Sequence, residues 1–141
     1  MHPANRRATF QPAGWHTVTT RLVAVDAAGL VAFLRKAFGA HGHYRGEAPT
    51  EVWIGDSVVM VSDAGAHPPA TAFLYVYVED ADATYARALE AGATHLEPPL
   101  DTPYGDRRAT IEDAWGNRWQ IATRVREPGL QAGGGATVST A

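Results

Sequence analysis

The sequence contains no cysteine, which excludes disulfides, thiolate nucleophiles and cysteine-bound zinc or iron–sulfur centres at once. Charge of neither sign dominates: 12 Lys and Arg stand against 15 Asp and Glu, for a formal net charge of −3. That balance offers no electrostatic footprint for a polyanion, so nucleic acid is not expected as a partner. No apolar run approaches the roughly 20 residues needed to cross a bilayer, and no membrane association is expected. No apolar signal-peptide core follows the opening Met1-His-Pro-Ala-Asn-Arg-Arg. Together these absences lead us to expect a cytoplasmic chain.

What is present is ordinary globular composition. The 141 residues are 45% hydrophobic and 19% charged, enough for one domain with a sizeable core. Residues 1–15 and 125–141 are aperiodic and rich in proline, glycine and small polar residues, and are expected to be flexible tails around a domain at 16–124.

Within that domain the chain says the same thing twice, over about 16–64 and 70–124. A β-rich run, Thr17 to Val25, ends at Asp26, a natural N-cap. A helical pattern follows, with Leu30, Phe33, Leu34 and Ala37 on one face, and stops at Gly39. Later Ala72 to Val78 is β-rich and ends at Glu79-Asp80. A second helical pattern through Tyr85, Ala88 and Leu89 stops at Gly92. Three strand signals follow each helix: His43 to Glu47, Thr50 to Ile54 and Ser57 to Val61 in the first half, and His95 to Glu97, Arg107 to Glu112 and Arg118 to Thr123 in the second. Gly55-Asp56 and Asp113-Ala-Trp-Gly-Asn117 supply turns. The pattern predicts an α+β fold of two βαβββ modules.

Alternation separates two sheet faces. Leu74, Val76 and Val78 oppose Phe73, Tyr75 and Tyr77; Val52 and Ile54 oppose Glu51 and Trp53; Trp119 and Ile121 oppose Arg118 and Gln120. One face is aliphatic and suits helix packing. The other mixes aromatic and polar groups, as a small-molecule pocket does. Glu51 beside Trp53 could pair with and stack on a cationic ligand, or be a solvated carboxylate beside an interface tryptophan. The stripe Phe73, Tyr75, Tyr77 reads as ligand cage or sheet packing. Arg108 falls on the same face and could bind a carboxylate or phosphate, whereas Arg107 alternates onto the opposite one. His41 and His43 are two apart, but no third ligand is placed near them. With His2, His16, His67 and His95 they read as surface or hydrogen-bonding histidines. No nucleophile triad, P-loop or dinucleotide fingerprint is present.

The order Asp26, helix, Ala37-Phe-Gly-Ala40, strands, Ile54-Gly-Asp-Ser57 resembles the first module of vicinal oxygen chelate proteins, the glyoxalase/bleomycin resistance protein/dioxygenase superfamily, and in particular its PhnB-like branch. Tyr75-Val-Tyr-Val-Glu-Asp80, Ala91-Gly-Ala93, Tyr104-Gly-Asp-Arg107 and Asp113-Ala-Trp-Gly-Asn-Arg-Trp119 resemble the second, and the shared Gly-Asp-Arg implies that Arg107 is a structural arginine paired with an acidic neighbour. Ala114 departs from the proline usual in that last turn, which should loosen the turn without removing it. The resemblance implies a curved, partly closed sheet with helices on its outer face. In metal-using members the first and last strands of each module supply a ligand, which maps here to Thr19, Met60, Phe73 and Gln120. Of these only Gln120 could serve a divalent cation, so no metal and no cofactor are expected.

The resemblance and the residues together point to a metal-free homodimer that binds an aromatic or cationic small molecule, such as an antibiotic it sequesters. Glu51, Trp53, Phe73, Tyr75, Tyr77, Arg108 and Gln120 are its candidate ligand-binding residues. The alternatives are a metal-independent isomerase, lyase or cyclase using Glu51, Arg108 and a tyrosine, or a glyoxalase-like metalloenzyme with displaced ligands from Glu47, Glu51 or the histidines.

Overall fold

Each helix begins where the sequence supplies a carboxylate to take up its free N–H groups. The computed structural model describes residues 10–127. The parts of the expected tails at 1–9 and 128–141, with His2, lie outside the described residues. Helix α1 spans Ala27–Phe38, and the Asp26 carboxylate accepts from the Gly29 N–H. Asp26 itself is left-handed at φ 68, a conformation a short acidic side chain tolerates. Gly39 closes the helix at φ 65 and donates to the Arg35 carbonyl. Helix α2 spans Ala81–Glu90, with Asp80 accepting from the Ala83 N–H and Gly92 following at φ 108. The apolar stripe expected on α1 is buried: Leu30, Phe33, Leu34 and Ala37 are all within 4% of full burial.

The strands are β1 Thr20–Ala24, β2 Thr50–Ile54, β3 Ser57–Asp63, β4 Phe73–Tyr77, β5 Thr94–Asp101, β6 Asp106–Glu112 and β7 Arg118–Arg124. They hydrogen-bond as two separate sheets, in the orders β1-β3-β2 and β4-β7-β6-β5. Neither sheet closes on itself. In both, the first strand runs parallel to the last and the remaining pairs are antiparallel. The mixed α+β architecture is therefore as the sequence implies, with the repeat visible in its hydrogen-bonding order.

The first module lacks the strand expected at His43 to Glu47. Only a single bridge, His41 with Trp53, survives at the edge of β2. Gly42 sits there at φ 149, and a Cβ on it would lie 2.5 Å from the Glu51 carbonyl oxygen. The segment thus touches β2 backbone to backbone at one point. It then turns away through Gly46 at φ 46, and Pro49 has no N–H to offer a ladder. Tyr44, within this segment, donates to the Asp63 carboxylate, whose other oxygen accepts from Ala27 at the start of α1. The hairpin of β2 and β3 turns at Gly55-Asp56 as expected, with Gly55 at φ 60.

The chain divides into two compact units: one holds the residues up to Ala70 except Lys36–Phe38, the other holds Lys36–Phe38 and the chain from Thr71. In the first unit Leu22, Val52, Val59 and Val61 form the buried face of the sheet. In the second unit α2 lies against β6, β5 and β7, over Ala109, Ile111, Trp119 and Ile121. No helix among the described residues is long and apolar enough to cross a membrane.

Candidate ligand-binding face

The period of two in β4, β6 and β7 decides what the second sheet turns away from α2. Register puts Phe73 opposite Arg118 and Arg118 opposite Glu112; Tyr75 opposite Gln120 and Gln120 opposite Thr110; Tyr77 opposite Ala122 and Ala122 opposite Arg108. Five of the expected site residues, Phe73, Tyr75, Tyr77, Arg108 and Gln120, therefore share one face. Glu51 and Trp53 stand on the first sheet. There Glu51 is exposed, and the Trp53 ring meets that of Trp15 edge-on with centroids 6.2 Å apart.

The organising group of the second-sheet face is Asp106, which the sequence reading did not single out. It is fully buried. Its Oδ2 accepts from the hydroxyls of Tyr75 at 2.6 Å and Tyr77 at 2.9 Å. Its Oδ1 lies 3.4 Å from the Arg124 Nε, a charge contact without hydrogen-bond alignment. Its backbone N–H takes the Thr102 hydroxyl as acceptor. The two phenols reach from β4 to β6 and so must cross β7, where Ala122 shares their face. Ala122 is completely buried, which is what two rings lying over it produce. Burial first, then the bond to Asp106, drives both phenol pKa values above their ordinary range.

Arg108 heads a second cluster. Its Nη1 donates to the Tyr104 hydroxyl at 2.6 Å and its Nη2 to Glu97 Oε1 at 3.2 Å, which also accepts from Thr110. Tyr104 also stands close enough to Tyr75 to help raise that phenol's pKa, so the two clusters are electrostatically linked. Arg118 pairs with Glu112 at 3.3 Å at the far end of the face. Every guanidinium on this face thus has a carboxylate beside it. What remains open is aromatic: Phe73 is 69% exposed, Tyr77 56% and Tyr75 40%. The Tyr75 and Tyr77 rings are tilted against each other with centroids 5.4 Å apart.

Arg107 behaves as read from sequence. It leaves this face and donates to both oxygens of Asp82, at 3.0 and 3.1 Å, with Asp101 alongside. Asp106, Glu97, Tyr104 and Arg124 were legible only in part. Asp106 lies two residues before Arg108 in the same alternation. The reach of two tyrosines across β7 has no signature in sequence.

The positions at which the superfamily resemblance places a divalent ion do not suit one. On the first sheet Met60, whose thioether is a poor ligand for a hard cation, is flanked across the strands by Glu51 and by Arg21, whose Nε donates to the Ser62 hydroxyl. Thr19 precedes β1. On the second sheet Phe73 has no donor, and Gln120 is a neutral carboxamide. Among the described residues no group of three or more His, Asp or Glu side chains is arranged to hold a metal, and His16, His41, His43, His67 and His95 are all exposed.

Comparison with known proteins agrees with this architecture. An uncharacterized protein of Mycobacterium bovis is 29% identical over 128 residues, covering 78% of this chain and 84% of that protein. Among solved structures, TioX from a Micromonospora species superposes with a TM-score of 0.66 at 24% identity, covering 78% of this chain and 99% of that one. The fosfomycin resistance protein FosX from Mesorhizobium loti superposes with a TM-score of 0.59 at 18% identity, covering 77% and 91%. The family model of the glyoxalase/bleomycin resistance protein/dioxygenase superfamily matches residues 16–121. With the repeated modules, their parallel first-to-last strand pairing and that match, the chain belongs to the glyoxalase/bleomycin resistance protein/dioxygenase superfamily.

Proposed function

We propose that the chain is a small-molecule-binding protein of the PhnB-like branch. In this reading it works in the cytoplasm as a homodimer, without a metal, and sequesters an aromatic or cationic compound such as an antibiotic. One observation carries the reading: the second sheet leaves three aromatic rings in the open, and two of them, Tyr75 and Tyr77, are tied through their hydroxyls to the buried Asp106. Rings fixed in that way offer faces for stacking at low conformational cost. The mismatch of Thr19, Met60, Phe73 and Gln120 with a divalent ion supports the metal-free part.

A metal-independent isomerase, lyase or cyclase is less well supported. Such an enzyme needs a group poised to exchange a proton, and Tyr75 and Tyr77 hold theirs more tightly than free phenols. Arg108 is engaged by Glu97 and Tyr104.

The test is a melting curve of the full chain with planar aromatic antibiotics, and separately with Ni, Mn and Zn salts against a chelator control. A compound at a hundred times its dissociation constant raises stability by about 2.7 kcal/mol. The expected result is a rise with an aromatic compound and none with metals. A metal-induced rise reversed by chelator overturns the metal-free reading, and a monomer in sedimentation at micromolar concentration overturns the dimer.

A further inference from the structure

Gln120 is the exception on a face where every other polar side chain has at least one hydrogen-bonding or charged partner, the buried Asp106 Oδ1 and Arg108 Nε being the only atoms of those side chains left over among the described residues. Asp106 is taken by Tyr75, Tyr77 and Arg124. Arg108 is taken by Tyr104 and Glu97, Thr110 by Glu97, and Arg118 by Glu112. The Gln120 carboxamide has no hydrogen-bond partner among the described residues. It is half-buried and lies between Tyr75 and Thr110 in the register of β4, β7 and β6. Phe73 is one cross-strand row away on one side and Tyr77 on the other. The free carboxamide therefore sits amid the open rings.

Three properties of a ligand follow. It is planar, because the uncommitted surface beside Gln120 is aromatic. It is uncharged, because each cation on the face already has its anion, and a bound charge would lose water without gaining a counter-charge. It carries a donor and an acceptor side by side, because a carboxamide presents an N–H and a C=O in one plane and is satisfied by the complementary pair. From these we propose that the second-sheet face binds an uncharged planar ring with a cyclic lactam or pyridone edge, read by Gln120 while Phe73, Tyr75 and Tyr77 stack on the ring. This rests on the binding function proposed above and narrows its aromatic or cationic compound to a neutral lactam-bearing one. The strand position at which the superfamily resemblance places a metal ligand becomes here a reader of hydrogen-bond pattern.

The test is a titration of the full ¹⁵N-labelled chain, followed by amide shifts in β4 and β7, with four probes. These are 2-quinolone, N-methyl-2-quinolone, quinoline-2-carboxylate and 2-naphthylmethylammonium. They share a bicyclic aromatic frame and differ in edge chemistry and charge. The expected result is that 2-quinolone binds about ten-fold tighter than its N-methyl form, the difference one well-made hydrogen bond at a sheltered site supplies. Both charged probes should bind more weakly, and the 2-quinolone affinity should not change with salt. In Gln120→Leu the affinities of the two quinolones should converge, with Gln120→Met as the variant of closer shape should the first fail to fold. If the N-methyl form binds as tightly as 2-quinolone, or a charged probe binds best, the lactam inference is overturned while the aromatic binding face stands. If no probe shifts the β4 and β7 amides, the binding function proposed for this face falls as well.

Discussion

At the scale of single residues, Asp106 is the group on which the face depends. A carboxylate with no exposure is costly unless it is paired, and here two phenols bond its Oδ2 while the Arg124 guanidinium offsets the charge at its Oδ1. Removing it leaves three partners facing one another without it. Asp106→Ala should destabilise the chain by about 3–5 kcal/mol in urea unfolding, whereas Tyr77→Phe, which deletes one of two donors, should cost about 1 kcal/mol. The phenols also set a pH dependence. Their folded-state pKa values are raised above the ordinary 10.0, so the folded chain keeps protons that the unfolded chain releases. Their contribution is complete below about pH 10 and is lost as pH climbs past that value. The urea midpoint should fall as pH is raised above about 10, and the fall should be shallower in Tyr75→Phe. If Ala122 is the floor under the rings, Ala122→Leu should cost about 1–3 kcal/mol by overpacking and raise the exposure of both tyrosines to solvent quenchers of fluorescence.

At the scale of elements, the turn between β6 and β7 shows how a departure from a family pattern is absorbed. Ala114 stands where a proline is usual, yet the turn is held by Asp113. That carboxylate accepts from the N–H groups of Trp115 and Asn117, from the Asn117 amide and from the Trp119 indole N–H. Asn117 returns the favour to β4 by accepting from the Ala72 N–H. Asp113→Ala should therefore cost about 3 kcal/mol, while Ala114→Pro should change stability by under about 1 kcal/mol; equilibrium unfolding of both variants checks this. These elements were legible because their signals are local: Asp26 and Asp80 as caps, Gly39 as a helix stop, Gly55-Asp56 as a hairpin turn, and period-two alternation in β4, β6 and β7. The strand expected at His43 to Glu47 failed because alternation there competes with Gly42, Gly46 and Pro49, and backbone punctuation won. Which face of each sheet is open was legible from Phe73, Tyr75, Tyr77 and Gln120. The commitment of Arg108 to Glu97 was not, since it depends on how β5 pairs with β6 across register shifts near Glu97. Gly42→Ala, which would press a methyl group on the Glu51 carbonyl, should break the His41–Trp53 bridge and speed exchange of those two amides.

At the scale of the whole molecule, the superfamily's architecture is present, and on the metal-free reading proposed above its metal-donor positions fall at Thr19 and Met60 in the first half and at Phe73 and Gln120 in the second. Neither pair supplies a carboxylate or imidazole. Isothermal titration with Ni or Zn should therefore show no stoichiometric binding at micromolar metal, and chelator treatment should leave the melting midpoint unchanged. The network around Asp106 has one more consequence, for the thermodynamics of capture. Phenols already anchored do not have to be frozen when a guest arrives, and a lattice of hydrogen bonds that is closed before binding has nothing to rearrange. Heat measured on association should then follow the aromatic area covered, with a negative heat-capacity change and only a small entropic penalty from the protein. On the proposed binding reading the sheet face behaves as a finished surface, and a guest is recognised by how well it lies flat on it and by the edge it offers Gln120.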